Sequence, residues 1–126
     1  AFFGSEGLHC YDMDGKPHDP RLPVRSVDLA LMVHMYHEVA QPYGLLFNLL
    51  SVLRPGARVA VIDLNQPTEQ HGTPHSLLLC EFHSLGFLQT HWGWMRGKSE
   101  YFALFEPPAQ PPKHEAIVPC SQRARG

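Results

Sequence analysis

The chain has 126 residues, 44% of them hydrophobic, and a formal net charge of −2. This length allows one domain around one buried core, and the small net charge gives no basis for electrostatic capture of nucleic acid or of an anionic membrane. No apolar run reaches the roughly 20 residues that a membrane span requires. The three cysteines form no C-x-x-C pair, so we predict reduced, unpaired thiols in a cytoplasmic chain.

The first part of the chain combines a short apolar segment, a polar loop and a buried strand. Phe2 to Tyr11 has room for a short strand, and the prolines of Asp12 to Ser26 exclude a helix there. Val27 to Val33 is apolar throughout except for Asp28. Because a strand covered on both faces lacks polar alternation, this run predicts the central strand of a sheet.

A helix and a second buried strand follow. Pro42 fits the first turn of a helix, and leucines recur at three- and four-residue spacing from Tyr43 to Leu53, which predicts one apolar face. Pro55-Gly56 ends this helix, and Arg58 to Leu64 predicts a second strand buried on both sides. A strand, a helix and a strand in this order form the repeat unit of a parallel α/β sheet.

After a polar loop, the sequence predicts a short helix and a hairpin. Thr73 is predicted to be the N-cap of this helix, because a proline follows it, and Gly86 is predicted to end it. Phe87 to Met95 and Ser99 to Phe105 are strand candidates that flank Arg96-Gly97-Lys98, a natural hairpin turn. We therefore expect an antiparallel pair at the end of the fold.

The remaining sequence is rich in proline. Five prolines follow Glu106 in a polar background. We therefore divide the chain into a partial α/β domain, residues 1–108, and a tail, residues 109–126, which we expect to be extended and largely disordered.

These segments resemble the second half of the S-adenosylmethionine-dependent methyltransferases of Rossmann-like fold. The resemblance rests on the buried strand opened by Asp28, the L-R-P-G helix stop, the V-A-V-I-D strand, the Leu85-Gly86-Phe87 turn and the strand from Tyr101 to Phe105. It covers most of the chain before the tail. It implies an α/β fold, namely the C-terminal part of a Rossmann-like methyltransferase sheet, with parallel strands, helices and a final antiparallel hairpin.

The glycine-rich turn that opens the family's cofactor site has no match in this sequence. Gly4 and Gly7 lie too near the N-terminus to follow a strand, and Gly93 and Gly97 lie among Trp and Arg residues. We therefore interpret the chain as a C-terminal portion and expect no methyl transfer by this chain alone. For the intact protein, the resemblance implies S-adenosylmethionine as the methyl donor and a small molecule as the acceptor.

Candidate site residues follow the first buried strand, because ligands of open α/β sheets bind beyond the carboxyl ends of strands. The resemblance implies that this segment lines the cofactor and substrate crevice, with His34 nearer the cofactor. Methyl transfer needs alignment of the nucleophile, and it needs a general base only where the acceptor loses a proton. His37 or Glu38 is the candidate base, although such residues at a strand end are also typical capping or packing groups.

Two further positions allow more than one interpretation. The family places an acidic residue after its third strand to bind the adenine amino group, and Asp12 or Asp14 matches it, whereas an ungapped count reaches Lys16. A solvated turn rich in Asp and Gly is the alternative. Asp63 either faces the same crevice as His37 or anchors a loop.

The histidines could bind a metal, and the tryptophans could contact a substrate. None of the nine histidines belongs to an H-E-x-x-H motif or to a Cys/His set at zinc spacing, so we predict no metal site. Trp92 and Trp94 alternate along one predicted strand, where they pack at its edge or stack on a substrate.

Two other functions remain open. One is a non-catalytic half-domain that assembles through its exposed sheet edge, either as a homo-oligomer or with a missing N-terminal half. The other is a different nucleotide-dependent Rossmann-like enzyme, such as a dehydrogenase, whose glycine fingerprint would lie upstream of this sequence.

Overall fold

The computed structural model describes residues 22–95 and 97–120, together with the backbone of residues 2–4 and 9–11. Within these residues, six strands form one mixed sheet in the order β2-β1-β3-β4-β6-β5. The strands and helices are β1 (Phe2–Gly4), β2 (His9–Tyr11), β3 (Val27–Val33), α1 (Pro42–Val52), β4 (Leu53–Leu64), α2 (His75–Ser84), β5 (Leu88–Met95) and β6 (Glu100–Glu106).

The centre of the sheet is the parallel pair of β3 and β4, with α1 as the crossover between them. Ala30 lies beside Val59, and Val33 lies beside Ile62. β4 also pairs antiparallel with β6, and β6 pairs antiparallel with β5. The predicted strand–helix–strand unit and the final antiparallel hairpin are therefore confirmed, and with them the α/β fold.

β4 begins earlier than the predicted start at Arg58. Leu53 pairs with Val27, and the next pair in the ladder joins Arg58 to Leu29, so the residues between them form an irregularity. Gly56 lies inside it with a φ of +83°, a left-handed conformation that glycine adopts without steric cost. α1 therefore ends at Val52, three residues before the predicted Pro55-Gly56 stop, which lies inside the irregular start of β4.

α1 and α2 pack against each other and cover one face of the sheet. Alternate residues of the three strands beneath them are fully buried: Ala30, Met32, Val59, Val61, Ala103 and Phe105. The leucines of α1 enter the same core, because their spacing places them on one face of the helix. None of the described helices is long and apolar enough to cross a membrane.

The opposite face of the sheet is apolar but only partly buried. It carries Val33, which is 48% exposed, and Phe102, which is 39% exposed. Leu31, Ile62 and Leu104, on the same face, are half-buried. The continuous apolar runs predict strands buried on both sides, whereas among the described residues that burial is complete only on the helical face.

α2 begins one residue later than predicted, and Thr73 does not cap it. The Thr73 hydroxyl instead donates to Oδ2 of Asp63 at 2.8 Å, and both residues are fully buried. The N–H of His75 finds its acceptor in Oδ1 of Asn65, 3.0 Å away. The N-cap prediction for Thr73 is wrong because its hydroxyl donates a hydrogen bond to the buried carboxylate of Asp63 and caps no helix N–H.

The prediction of unpaired thiols is also wrong for two cysteines. Cys80 on α2 forms a disulfide with Cys120 in the tail. The two residues are 40 positions apart, so no local spacing marks the pair in the sequence. The pairing arises because the tail returns across the helices.

The tail is extended apart from one 3-10 turn at His114–Ala116. The ring of His114 packs on Phe47 of α1 with the ring centroids 4.1 Å apart. The Ser84 hydroxyl at the end of α2 donates to the Val118 carbonyl at 2.8 Å. Residues 107–120 therefore lie against both helices, and the domain boundary after residue 108 stays a prediction.

Candidate active site

The carboxyl ends of β3 and β4 lie side by side at one edge of the sheet. The backbone N–H of His34, just beyond β3, donates to the Ile62 carbonyl of β4 at 2.7 Å. A 3-10 turn, Tyr36–Glu38, follows directly and turns its side chains back over the end of β4. This is the place where open α/β sheets bind their ligands.

The main polar contact at this edge joins His37 to Asp63. Nδ1 of His37 lies 3.1 Å from one carboxylate oxygen of Asp63 and 3.2 Å from the other. The His37 side chain is 6% exposed, and that of Asp63 is fully buried. Because an ionised carboxylate only accepts hydrogen bonds, this contact favours the tautomer with its proton on Nδ1.

Nε2 lies on the side of the His37 ring that approaches Glu38. It lies 3.6 Å from Oε2 of Glu38, whose side chain is 72% exposed. The ring of His71 stands edge-on to the His37 ring, with the centroids 6.0 Å apart. His37 and Glu38, the two predicted base candidates, are therefore neighbours, with His37 oriented by the protein and Glu38 free to meet solvent.

Asp63 is itself held from several sides. Its Oδ1 accepts the Leu64 N–H at 2.9 Å, and its Oδ2 accepts the Thr73 hydroxyl at 2.8 Å. The Tyr101 hydroxyl donates to the Thr73 carbonyl at 2.7 Å, which fixes the loop that carries Thr73. Burial, and then the negative charge of Asp63, raises the pKa of the Tyr101 phenol far above its ordinary value. Tyr101 therefore remains a neutral donor in the folded chain.

His34 is held by a different partner. Its Nε2 contacts Oε2 of Glu100, the first residue of β6, whose side chain is only 9% exposed. His34 itself is 40% exposed at its side chain and has a φ of +52°, which is uncommon for a residue other than glycine. The ring thus stands at the open edge of the sheet with its direction set by a buried carboxylate.

A cluster of three aromatic side chains, from the start of α2 and from β5, lies farther along the same edge. The ring of His75 stacks on Trp92 with the centroids 4.3 Å apart, and Trp92 meets Trp94 edge-on at 5.3 Å. Nε2 of His75 is bonded to Oε1 of Gln89 at 2.8 Å. Both tryptophans remain 42% exposed, so the structure agrees with their predicted position at a strand edge.

The structure brings some predicted site residues together and leaves others apart. His34, His37, Glu38 and Asp63 gather at one edge. Asp12 and Asp14, the predicted cofactor contacts, lie outside the described residues, as does Lys16. Asp28 lies at the other end of β3, where its Oδ2 is 3.7 Å from Nε of Arg54.

The sequence alone did not reveal three members of the site, Thr73, Glu100 and Tyr101. Thr73 carries a helix-capping signal that points away from its role. Tyr101 and Glu100 come from β6, and only the register that pairs Tyr101 with Asp63 brings them to this edge.

A cavity of about 810 Å³ lies at the opposite end of the sheet. It opens between the end of α1, the start of β4 and the tail, and its lining includes Arg54, Arg58 and Pro107. None of the residues that surround His37 lines it. The candidate site lies at the His37 edge, because ligands of open α/β sheets bind beyond the carboxyl ends of the strands and this cavity lies at the other end. In the described part of the chain, no group of three His, Cys, Asp or Glu side chains is arranged to hold a metal ion.

No protein-family model and no curated protein matches the chain. Solved structures do match it. A SAM-dependent methyltransferase from Aquifex aeolicus is 21% identical, with a TM-score of 0.65, over 72% of this chain and 51% of that one. A protein from Sulfolobus solfataricus assigned to the type 11 methyltransferases is 15% identical, with a TM-score of 0.60, over 80% of this chain and 60% of that one. The chain thus has the methyltransferase fold that its sequence resembles, and it spans about half to three-fifths of the length of these proteins.

Proposed function

We propose that the chain forms the C-terminal portion of an S-adenosylmethionine-dependent methyltransferase that acts on a small-molecule acceptor. The observation that carries the proposal is the His37–Asp63 pair, buried at the carboxyl ends of two parallel strands in a fold shared with methyltransferases. A histidine oriented by a buried carboxylate is an arrangement suited to general base catalysis. The Cys80–Cys120 disulfide removes the reduced thiols on which the cytoplasmic prediction rested, so no compartment is part of this proposal.

The residues of this edge have different roles, which follow from their surroundings. His37 presents Nε2 toward the acceptor, and Glu38 lies beside it to pass the proton to water. S-adenosylmethionine, when bound, supplies the electrophilic methyl group on a sulfonium cation. The carboxylates of Glu38 and Glu100 favour a cation at this edge, and His34 contacts Glu100 there. Asp12 and Asp14 remain the proposed adenine contacts.

Titration calorimetry with S-adenosylhomocysteine tests this proposal directly. We expect weak, saturable binding to the purified chain, since one side of the site is present and the glycine-rich turn is not. His34→Ala should weaken it, whereas His83→Ala, an exposed histidine on α2, should not. If the folded chain binds no S-adenosylhomocysteine, a cofactor role for this edge is refuted. Methyl transfer by the chain alone is not expected.

The second candidate is an assembly module that joins other chains through its sheet. It is favoured by the apolar side chains exposed on β5, where Leu88 is 59% exposed and Trp92 and Trp94 are 42% exposed. An edge strand with apolar side chains is a template for pairing between chains. Light scattering decides between the candidates: a concentration-dependent dimer that Trp94→Lys dissolves, together with absent ligand binding, supports the module. A monomer at all concentrations argues against it.

A further inference from the structure

The contact between His37 and Asp63 bears on which ring nitrogen of His37 carries the proton. Both oxygens of Asp63 face Nδ1, at 3.1 and 3.2 Å. We propose that Asp63 and Thr73 are positioning residues that hold His37 in the tautomer with a bare Nε2, and that the acceptor is a small molecule whose attacking atom loses a proton, with a weakly acidic hydroxyl group as the proposed class. This inference rests on the proposed function. Acceptors such as carboxylates or tertiary amines offer a lone pair without losing a proton and would leave an oriented base unused.

The carboxylate cannot easily turn away from this arrangement. Its Oδ1 is bonded to the Leu64 N–H and its Oδ2 to the Thr73 hydroxyl, and both Asp63 and Thr73 are fully buried. Tyr101 secures Thr73 through its backbone carbonyl. A buried carboxylate that lost one of these donors would be poorly solvated, so each of them favours the ionised, oriented state.

The groups around Nε2 suit a proton acceptor. Glu38 approaches from the solvent side at 3.6 Å, and His71 approaches the ring edge-on. Asp63 lies behind the ring on β4, with Tyr101 of β6 as its neighbour in the register. When Nε2 takes a proton, the imidazolium is flanked by two carboxylates, those of Asp63 and Glu38, which stabilise the new charge.

The methyl-transfer step involves the acceptor, S-adenosylmethionine and His37, and needs no further reactant. The acceptor oxygen attacks the methyl carbon of the sulfonium, its O–H proton passes to Nε2 of His37, and the carbon–sulfur bond breaks with its electron pair left on sulfur. The products are a methyl ether, S-adenosylhomocysteine and protonated His37. The proton then leaves to water past Glu38.

Asp63→Asn is the informative variant, because the structure dictates how the amide must sit. The amide oxygen is required by the Leu64 N–H, so the NH₂ group takes the place of Oδ2, which lies 3.2 Å from Nδ1. A donor at that place competes with the amide oxygen, which stays 3.1 Å from Nδ1, so Asp63→Asn should weaken the preference for a proton on Nδ1. Asp28→Asn, at the far end of β3, is the matched control.

Two readouts on the 126-residue chain test the inference without any methyl transfer. Imidazole nitrogen shifts in NMR should show a proton on Nδ1 of neutral His37 in the native chain, a smaller Nδ1-protonated fraction in Asp63→Asn, and no change in Asp28→Asn. Thr73→Val, which lacks the hydroxyl, should lower the Nδ1-protonated fraction of His37, whereas Thr73→Ser, which keeps it, should leave that fraction as in the native chain. A native chain with protonated Nε2, or with an even mixture of tautomers, overturns the positioning role.

The second readout uses 4-nitrophenol, whose phenolate is coloured, as the hydroxyl probe. We expect the native chain to raise the phenolate fraction saturably at a pH just below the probe's pKa, and we expect His37→Ala and Asp63→Asn to lose this effect. No phenolate enrichment by a chain with the expected tautomer overturns the acceptor class. If both readouts hold while S-adenosylhomocysteine does not bind, the proposed function and the methyl-acceptor class fail, and only the positioning role of Asp63 and Thr73 stands.

Discussion

Two phenylalanines on β6 provide a matched test of how the sheet is covered. Phe105 points into the helical face, where it is fully buried and stacks on Phe82 with the ring centroids 4.0 Å apart. Phe102 lies on the other face and is 39% exposed, with its ring resting on Gly93. Phe105→Ala should lower the free energy of unfolding by about 3–5 kcal/mol, the usual range for a truncated core phenylalanine.

For Phe102→Ala the expected cost is smaller. Complete burial of a phenylalanine contributes about 1.5–3 kcal/mol, and about three-fifths of Phe102 is covered, so the loss should be about 1–2 kcal/mol. Urea unfolding followed by tryptophan fluorescence measures both variants against the native chain. Running it at two protein concentrations about tenfold apart separates folding from assembly.

Equal costs for the two variants at low concentration would refute the one-sided burial inferred for this sheet. A cost for Phe102→Ala that grows with protein concentration would show that another molecule covers this face in solution.

Three further predictions concern the disulfide, the glycine turns and the buried phenol. Cys80→Ser with Cys120→Ser should lower the free energy of unfolding by about 4 kcal/mol for a loop of 40 residues, and the double variant should no longer respond to reductant in a thermal melt. Gly86→Ala should be more destabilising in urea unfolding than Gly56→Ala: both have φ above +80°, but only at Gly86 would the new Cβ meet another side chain, at 3.0 Å. Tyr101 has a raised pKa when folded, so the unfolded chain loses that proton first, and stability should fall as the pH rises above about 10. Tyr101→Phe should flatten that fall in a series of melts across alkaline pH.

Periodicity predicted the elements of this fold well where one physical effect dominates. The leucine spacing of α1 places three leucines in the core, and the helix ends within one residue of its predicted bound. The hairpin of β5 and β6 follows from two apolar segments around a Gly97 turn, and Gly97 has a φ of +69°. These are local effects, and the sequence contains all that they need.

Long-range competition limited the rest. Thr73 has every local feature of an N-cap, yet its hydroxyl donates to Asp63, and the helix N–H of His75 donates to Asn65 instead. This arrangement is favoured because a buried carboxylate without hydrogen-bond donors would cost more free energy than an uncapped helix N–H. The pairing of His37 with Asp63 was within reach of the sequence, since both residues follow neighbouring parallel strands. The contributions of Thr73 and Tyr101 depended on the register of β6, which local patterns do not determine.

The strand order also has a consequence for how fast the chain folds. β4 pairs with β6 across the whole of α2 and β5, so the middle of the sheet joins residues about 40 positions apart, such as Ala60 and Leu104. The β5–β6 hairpin, by contrast, closes a short loop. Non-local strand pairing loses the entropy of loop closure before its contacts form. We therefore expect the hairpin to form first and its docking onto β4 to limit the folding rate. Replacements at the β4–β6 seam should therefore slow refolding, whereas replacements in the tail should mainly speed unfolding.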